Sequence, residues 1–335
     1  MSLLKRRIFL LGAIAAVAIG AALFALQRSA VPAGALMQVR IAVPVQLAAG
    51  SLFVAEDQKL FGQQGLQIEL KRFLLGKQAL QSVLDGSADL ALVADTPFVH
   101  AVLRGERIAA LATVFESRKT MAIVGRRDGG ITDAASLKGK RVGTVFGTNA
   151  EFFLDTLFDV NDIARGAVDV KNLAPGQLAA ALEEGKVDAV TVWHPDLARL
   201  NLAFGSKAVT LYSEDIFVYR FLLVGKQNYI EQHPDQVRKV LTSLKASNAF
   251  IAEQPEQTRA LVGAAIGVPP AQLAQSFSPD DYTLVLDQSL LIALSAQGRW
   301  AIAKGAVPAA VPLYLDFIRP EPLRAVMPDA ERIIR

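Results

Sequence analysis

Apolar runs of strand length and stretches with helical spacing alternate along the chain, and the same order occurs twice. In the first pass, strands are predicted over 39–45, 66–72 and 90–94, with helices over 51–61 and 77–84 between them. In the second, strands are predicted over 141–145, over 168–173 and from Ala189 onward, with helices over 150–160 and 176–184. Each half therefore reads strand, helix, strand, helix, strand. Such alternation predicts an α/β protein with parallel sheets covered by helices, and two similar lobes in one chain predict a cleft between them. The third strands share more than a pattern. Gly86-Ser87-Ala88-Asp89 leads into an apolar run and the tip Ala94-Asp95-Thr96-Pro97, while Gly185-Lys186-Val187-Asp188 leads into another and the tip Trp193-His194-Pro195. In each copy a glycine ends a helix, an aspartate follows three residues on, and a proline closes the tip.

Composition narrows the classes. With 335 residues, 52% of them hydrophobic and 20% charged, the chain can bury a large core and suits two domains better than one. The formal charge of +3 comes from the first 35 residues, which hold Lys5, Arg6, Arg7 and Arg28 and no acid; without them 31 basic residues face 32 acidic ones, a net of −1. No basic field remains to hold phosphates, so nucleic acid is not an expected partner. Cysteine is absent, which removes disulfides and thiolate sites, and His100, His194 and His233 lack zinc-site spacing. No phosphate-binding loop, dinucleotide fingerprint or nucleophile elbow occurs. The expectation is a protein without metal or cofactor that is not an enzyme. Residues 1–35 form an export leader: Lys5-Arg6-Arg7 precedes an uncharged run over 8–26. Two readings stand for it, an uncleaved anchor in the cytoplasmic membrane through 8–26 or a signal peptide cleaved near Ala33-Gly34-Ala35. Its arginine pair loosely fits a twin-arginine signal. All of these place the remainder in the periplasm or outside the cell.

Candidate binding residues follow from the strand ends, because parallel α/β sheets hold ligands where the next helix presents unpaired N–H groups. Gln46 follows the first strand, Asp95 and Thr96 the third. In the second half Thr148 and Asn149 either cap a helix or donate to a bound anion. Glu151 either complements the helix dipole or addresses a ligand amine. Trp193 and His194 stand at the last tip, where an aromatic either forms a cleft wall that stacks on a ligand or belongs to the core. Arg220 interrupts an apolar run; it either meets a carboxylate or sulfonate, or is an edge charge facing water.

Several of these segments, in order, resemble a known family. Ser136-Leu137-Lys138-Gly139-Lys140-Arg141-Val142, Gly147-Thr148-Asn149, Gly185-Lys186-Val187-Asp188-Ala189 with Trp193-His194-Pro195, Tyr229 to His233-Pro234, and Ala252-Glu253-Gln254-Pro255-Glu256 are similar to the solute-binding proteins of nitrate, sulfonate and taurine ABC importers. The resemblance implies a type II periplasmic-binding fold: lobe 1 from 36–124 and 224–335, lobe 2 from 125–223, and two hinge strands crossing near 123–127 and 219–225. It also implies a small polar ligand between the tips with its anionic group near Thr148 and Asn149, hinge closure on that ligand, and a permease and an ATPase as partners. Asp95 and Glu151 depart from the pattern and would repel a simple anion, which favours a zwitterion. Two other roles belong to the same fold: a membrane-anchored ligand sensor, and an enzyme of the pyrimidine-forming or menaquinone-pathway kind, the former of which depends on a cysteine-rich motif this chain lacks.

Overall fold

The computed structural model describes residues 36–212, 214, 216–305 and 310–334. The leader expected over 1–35 lies outside these residues. No helix among those described is long and apolar enough to cross a membrane.

The predicted strands form as the apolar runs require. In the first half β1 (Met37–Pro44), β2 (Leu66–Phe73) and β3 (Leu90–Ala94) lie parallel, with β1 between the other two. They are followed by β4 (Ile108–Ser117) and β5 (Met121–Arg126). In the second half β6 (Arg141–Thr144), β7 (Asp169–Asn172) and β8 (Ala189–Trp193) repeat the arrangement, with β6 central and parallel to both neighbours. Then come β9 (Ala208–Tyr212), β10 (Tyr219–Lys226), β11 (Tyr282–Asp287) and the short β12 (Glu331–Arg332). One sheet has the order β2-β1-β3-β10-β4-β11-β12, the other β7-β6-β8-β5-β9. Every residue of β3 is buried, as in a strand covered by helices on both faces.

The shared Gly-x-x-Asp segment proves to be scaffold. Gly86 and Gly185 both adopt positive φ, 82° and 70°, and turn the chain out of a helix. Asp89 then accepts from the backbone N–H of Arg40 at 2.8 Å and from two nitrogens of its guanidinium, and Asp188 does the same for Arg141. In each lobe this carboxylate ties the start of the third strand to the first. The guanidinium pulls the Asp188 carboxyl below its ordinary pKa. Both arginines are about two-fifths exposed, which discounts the ion pair, but an unanswered backbone N–H would remain. Asp188→Ala is expected to cost about 2 kcal/mol in denaturant unfolding; a loss below ~0.5 kcal/mol would show that water replaces the carboxylate at no cost.

A second repeat was not anticipated. Ile123-Val124-Gly125-Arg126 and Leu223-Val224-Gly225-Lys226 are the antiparallel strands β5 and β10, each supplied to its sheet by a chain arriving from the other lobe. Gly125 pairs with Ala189 and Gly225 with Leu90, and a Cβ at either would approach Ile131 or Leu90 to less than 3 Å. The expected hinge positions at 123–127 and 219–225 therefore fall inside paired strands, where ladder hydrogen bonds resist bending. The chain changes sheets between β4 and β5 and again between β9 and β10, so β5 belongs with the second sheet and β10 with the first, not divided at 124/125 and 223/224.

Candidate functional site

Between the lobes, the strand ends converge as expected. On one side stand Gln46 after β1, the start of the helix Gly76–Leu84 after β2, and Pro97 beyond β3. Thr148 and Asn149, at the start of the helix Asn149–Val160, and Trp193 at the end of β8 face them. Tyr219 and Phe221, alternate residues of β10, floor the cleft. As it stands the cleft is shut. Its outer part leaves about 20 Å³ and its inner part about 10 Å³, room for roughly one water each, so a ligand enters only when the lobes part. Two larger grooves, of about 620 and 700 Å³, are open troughs on the outer surface of the first lobe, away from the strand ends that converge here.

Several expected ligand residues instead hold the lobes together. Asp95 is fully buried, and its carboxylate accepts from the amide of Asn149 across the cleft, from Gln297 Nε2 at 2.7 Å and from the N–H of Thr96 at 3.0 Å. Burial pushes its pKa up, against the opposing pull of Arg220 and these donors. Thr96 donates to Gln297 Oε1 and completes the network. Glu151 accepts from the N–H of Gly147 at 2.8 Å and pairs with Lys304 at 2.9 Å. With Asp155, which Lys304 also reaches at 3.0 Å, it joins the second lobe to the end of the helix Gln288–Ala303. The two acids thus have internal partners, and the sequence argument that they repel an anion and favour a zwitterion loses its basis.

Of the open alternatives, Thr148 takes the capping one: its hydroxyl accepts from Ala150 N and donates to Val145 O. Arg220 is turned away from the cleft. Strand alternation puts it on the face opposite Tyr219 and Phe221, where it meets Glu116 at 2.5 Å and Ser289 at 3.2 Å. Gln46 is buried, donates to Leu74 O and accepts from the Tyr219 hydroxyl. Trp193 is half-buried against both parts of the cleft. His194 is 2% exposed, and neither ring nitrogen has a hydrogen-bond partner among the described residues. Burial lowers its pKa to about 4 and keeps the ring neutral at ordinary pH.

Sequence reasoning missed Gly76, Lys77, Thr120 and Tyr219. The rule that found Gln46 and Thr148, a polar residue just beyond a strand, also selects Lys77 once β2 is recognised as a cleft strand. Lys77 is exposed at the cleft rim and has no ion-pair partner among the described residues. Thr120 lies in the first crossing segment, and Tyr219 opens the strand entered from the second, so both required the correct hinge positions.

The NMT1/THI5-like family model matches residues 48–258, and the chain belongs to that family. A putative aliphatic sulfonates-binding protein of Bacillus subtilis is 24% identical over 226 residues, 66% of each chain, so the match spans about two thirds of that relative's length. The taurine-binding periplasmic protein of Escherichia coli is 22% identical over 301 residues, 84% of this chain and 91% of that one. Among solved structures, the alkanesulfonate-binding protein SsuA from Xanthomonas axonopodis pv. citri, bound to MOPS, superposes with a TM-score of 0.76 at 22% identity, covering 86% of this chain and 100% of that one. The desulfurization enzyme DszB has the same architecture at TM-score 0.66 and 16% identity, covering 88% and 99%. The fold is the periplasmic-binding-protein fold.

Proposed function

We propose that this protein is the extracytoplasmic solute-binding component of an ABC importer, capturing a small organic anion such as a sulfonate by lobe closure and presenting the closed form to a permease and its ATPase. The observation that carries this reading is the cleft itself: two lobes meet along the carboxyl ends of their parallel strands, and the start of the helix Gly76–Leu84 faces it with the N–H groups of Gly76 and Lys77 and the exposed Lys77 ammonium. A ligand touched by both lobes stabilises the closed arrangement, which is what a transporter recognises. The similarity to taurine- and sulfonate-binding proteins supports an anionic ligand and a periplasmic setting. Because the site carries capping, wall and clamp residues in place of a nucleophile with a base, binding is favoured over catalysis. Asn149, Trp193 and His194 remain as ligand contacts in this reading; Gln46 and Thr148 shape the wall, and Asp95, Thr96 and Glu151 act through closure.

The test is calorimetric titration of the full-length protein with alkanesulfonates, taurine, nitrate and sulfate. Stabilisation of the fold by at least one sulfonate is expected, and silence from all of them would refute a small-anion ligand. Trp193→Ala should weaken that binding by about 10- to 100-fold while leaving the unfolding midpoint nearly unchanged, since the indole is only half-buried. Unaltered affinity in this variant would remove Trp193 from the site.

A further inference from the structure

The inner end of the cleft has a character that its rim does not share. It is lined by Gln46, Phe115, Thr120, Trp193, His194 and Tyr219, together with the apolar Leu47 and Ala48, and no charged side chain is among them. Two of these residues carry buried polar atoms with no hydrogen-bond partner among the described residues: both imidazole nitrogens of His194, 2% exposed, and the hydroxyl of Thr120, 3% exposed. Gln46 and Tyr219, by contrast, answer each other. Leaving a buried donor or acceptor unpaired costs free energy that ordinary cores avoid, and here two such residues, one in the first crossing segment and one just after β8, line one pocket. The pocket's volume in the closed form, about 10 Å³, admits one group the size of a water.

A neutral imidazole offers one donor and one acceptor, and a threonine hydroxyl can act as either. The complementary group both donates and accepts, is small and is uncharged. A sulfonate only accepts and would leave the acceptor nitrogen of the imidazole unanswered, and an ammonium would be stripped of water with no carboxylate in the lining to answer it. We infer that this pocket is a specificity subsite in which His194 and Thr120 bind a single hydroxyl at the buried end of the ligand, opposite an anionic group held at the rim near Lys77. The inference rests on the solute-binding reading above and names the ligand class more narrowly, as a hydroxylated organic anion.

Three compounds of nearly equal size separate the possibilities: 2-hydroxyethanesulfonate, taurine and propanesulfonate, which end in a hydroxyl, an ammonium and a methyl group. Calorimetry on the full-length protein is expected to give the hydroxy compound about tenfold or more the affinity of either of the others. In His194→Leu the ratio between the hydroxy and methyl compounds should fall to about one. This substitution removes unpaired polar atoms from a buried site, so folding, checked by circular dichroism, should persist. Thr120→Val gives the same reading through a second residue. Equal affinity of the unaltered protein for the hydroxy and methyl compounds, as expected if the pocket holds only a water, overturns the subsite while leaving the solute-binding reading intact. A preference that survives in both folded variants also overturns it. If none of the three binds, the sulfonate reading falls and the subsite falls with it.

Discussion

Asp155→Ala is expected to open the protein. Asp155 is 4% exposed and receives the indole N–H of Trp300 at 2.8 Å and the ammonium of Lys304 at 3.0 Å, both from the opposite lobe. Phe152, one helical turn earlier, meets the Trp300 ring edge-on at 5.2 Å. Lys304 keeps Glu151 as a partner in the variant, so the loss is that of two hydrogen bonds to a carboxylate, one from an ammonium and one from an indole N–H, in a largely buried setting, about 2–3 kcal/mol. Nearly all of it bears on closure, because both hydrogen bonds run between lobes; the contact within the second lobe, to Arg165, is a long one at 3.9 Å with a half-exposed partner and contributes little. The ratio of closed to open molecules should therefore fall by roughly 30- to 150-fold. Small-angle scattering of the ligand-free protein should show a larger radius of gyration, and ligand affinity should weaken in step, since binding must then restore closure. An unchanged scattering profile with unchanged affinity would mean that these bonds do not decide which form is populated.

This clamp shows where sequence reasoning reached and where it stopped. The alternation of strands and helices, the two lobes and the strand ends that face the cleft were all legible, because each rests on local spacing that burial then enforces. The Gly-x-x-Asp segment was legible as a repeat, and its shared part is structural: Asp89 and Asp188 make the same bonds to Arg40 and Arg141. The roles of Glu151 and Asp95 were not legible. Their partners, Lys304 and Gln297, lie on a helix after the second crossing, and nothing local distinguishes a carboxylate that clamps from one that faces a ligand. Arg220 could have been placed. It alternates with Tyr219 and Phe221 along one strand, so if the aromatics face the cleft the arginine cannot. The hinge error has a related cause, since a strand that enters its sheet from the other lobe looks, in sequence, like a continuation of the lobe it leaves.

Asp95 carries the largest expected effect on stability. Asp95→Ala would leave the Asn149 and Gln297 amides and the Thr96 N–H facing a buried gap, at a cost of about 3–5 kcal/mol in denaturant unfolding. Asp95→Asn keeps the volume and one acceptor oxygen, so it should cost much less, and its cost should depend on pH. Burial raises the folded pKa of Asp95 above the unfolded value of 3.8. The stability it contributes is therefore fully present below pH 3.8 and declines as pH rises through the folded pKa. Asparagine does not titrate, so the difference between the variant and the unaltered protein should shift in favour of asparagine as pH rises above about 4. Other groups titrate in the same range. His194, lowered to about 4, loses stability on acidification, whereas Asp281, raised to about 7, gains it. Both are common to the two proteins and cancel in the difference, which is why the pair, and not the unaltered protein alone, reports on Asp95. Unfolding curves at about pH 3.5, below the unfolded value, and at about pH 8 suffice. A difference that stays flat between them, or an Asp95→Ala variant that loses less than ~1 kcal/mol, would show that water reaches the carboxylate and that the network does not join the lobes in solution.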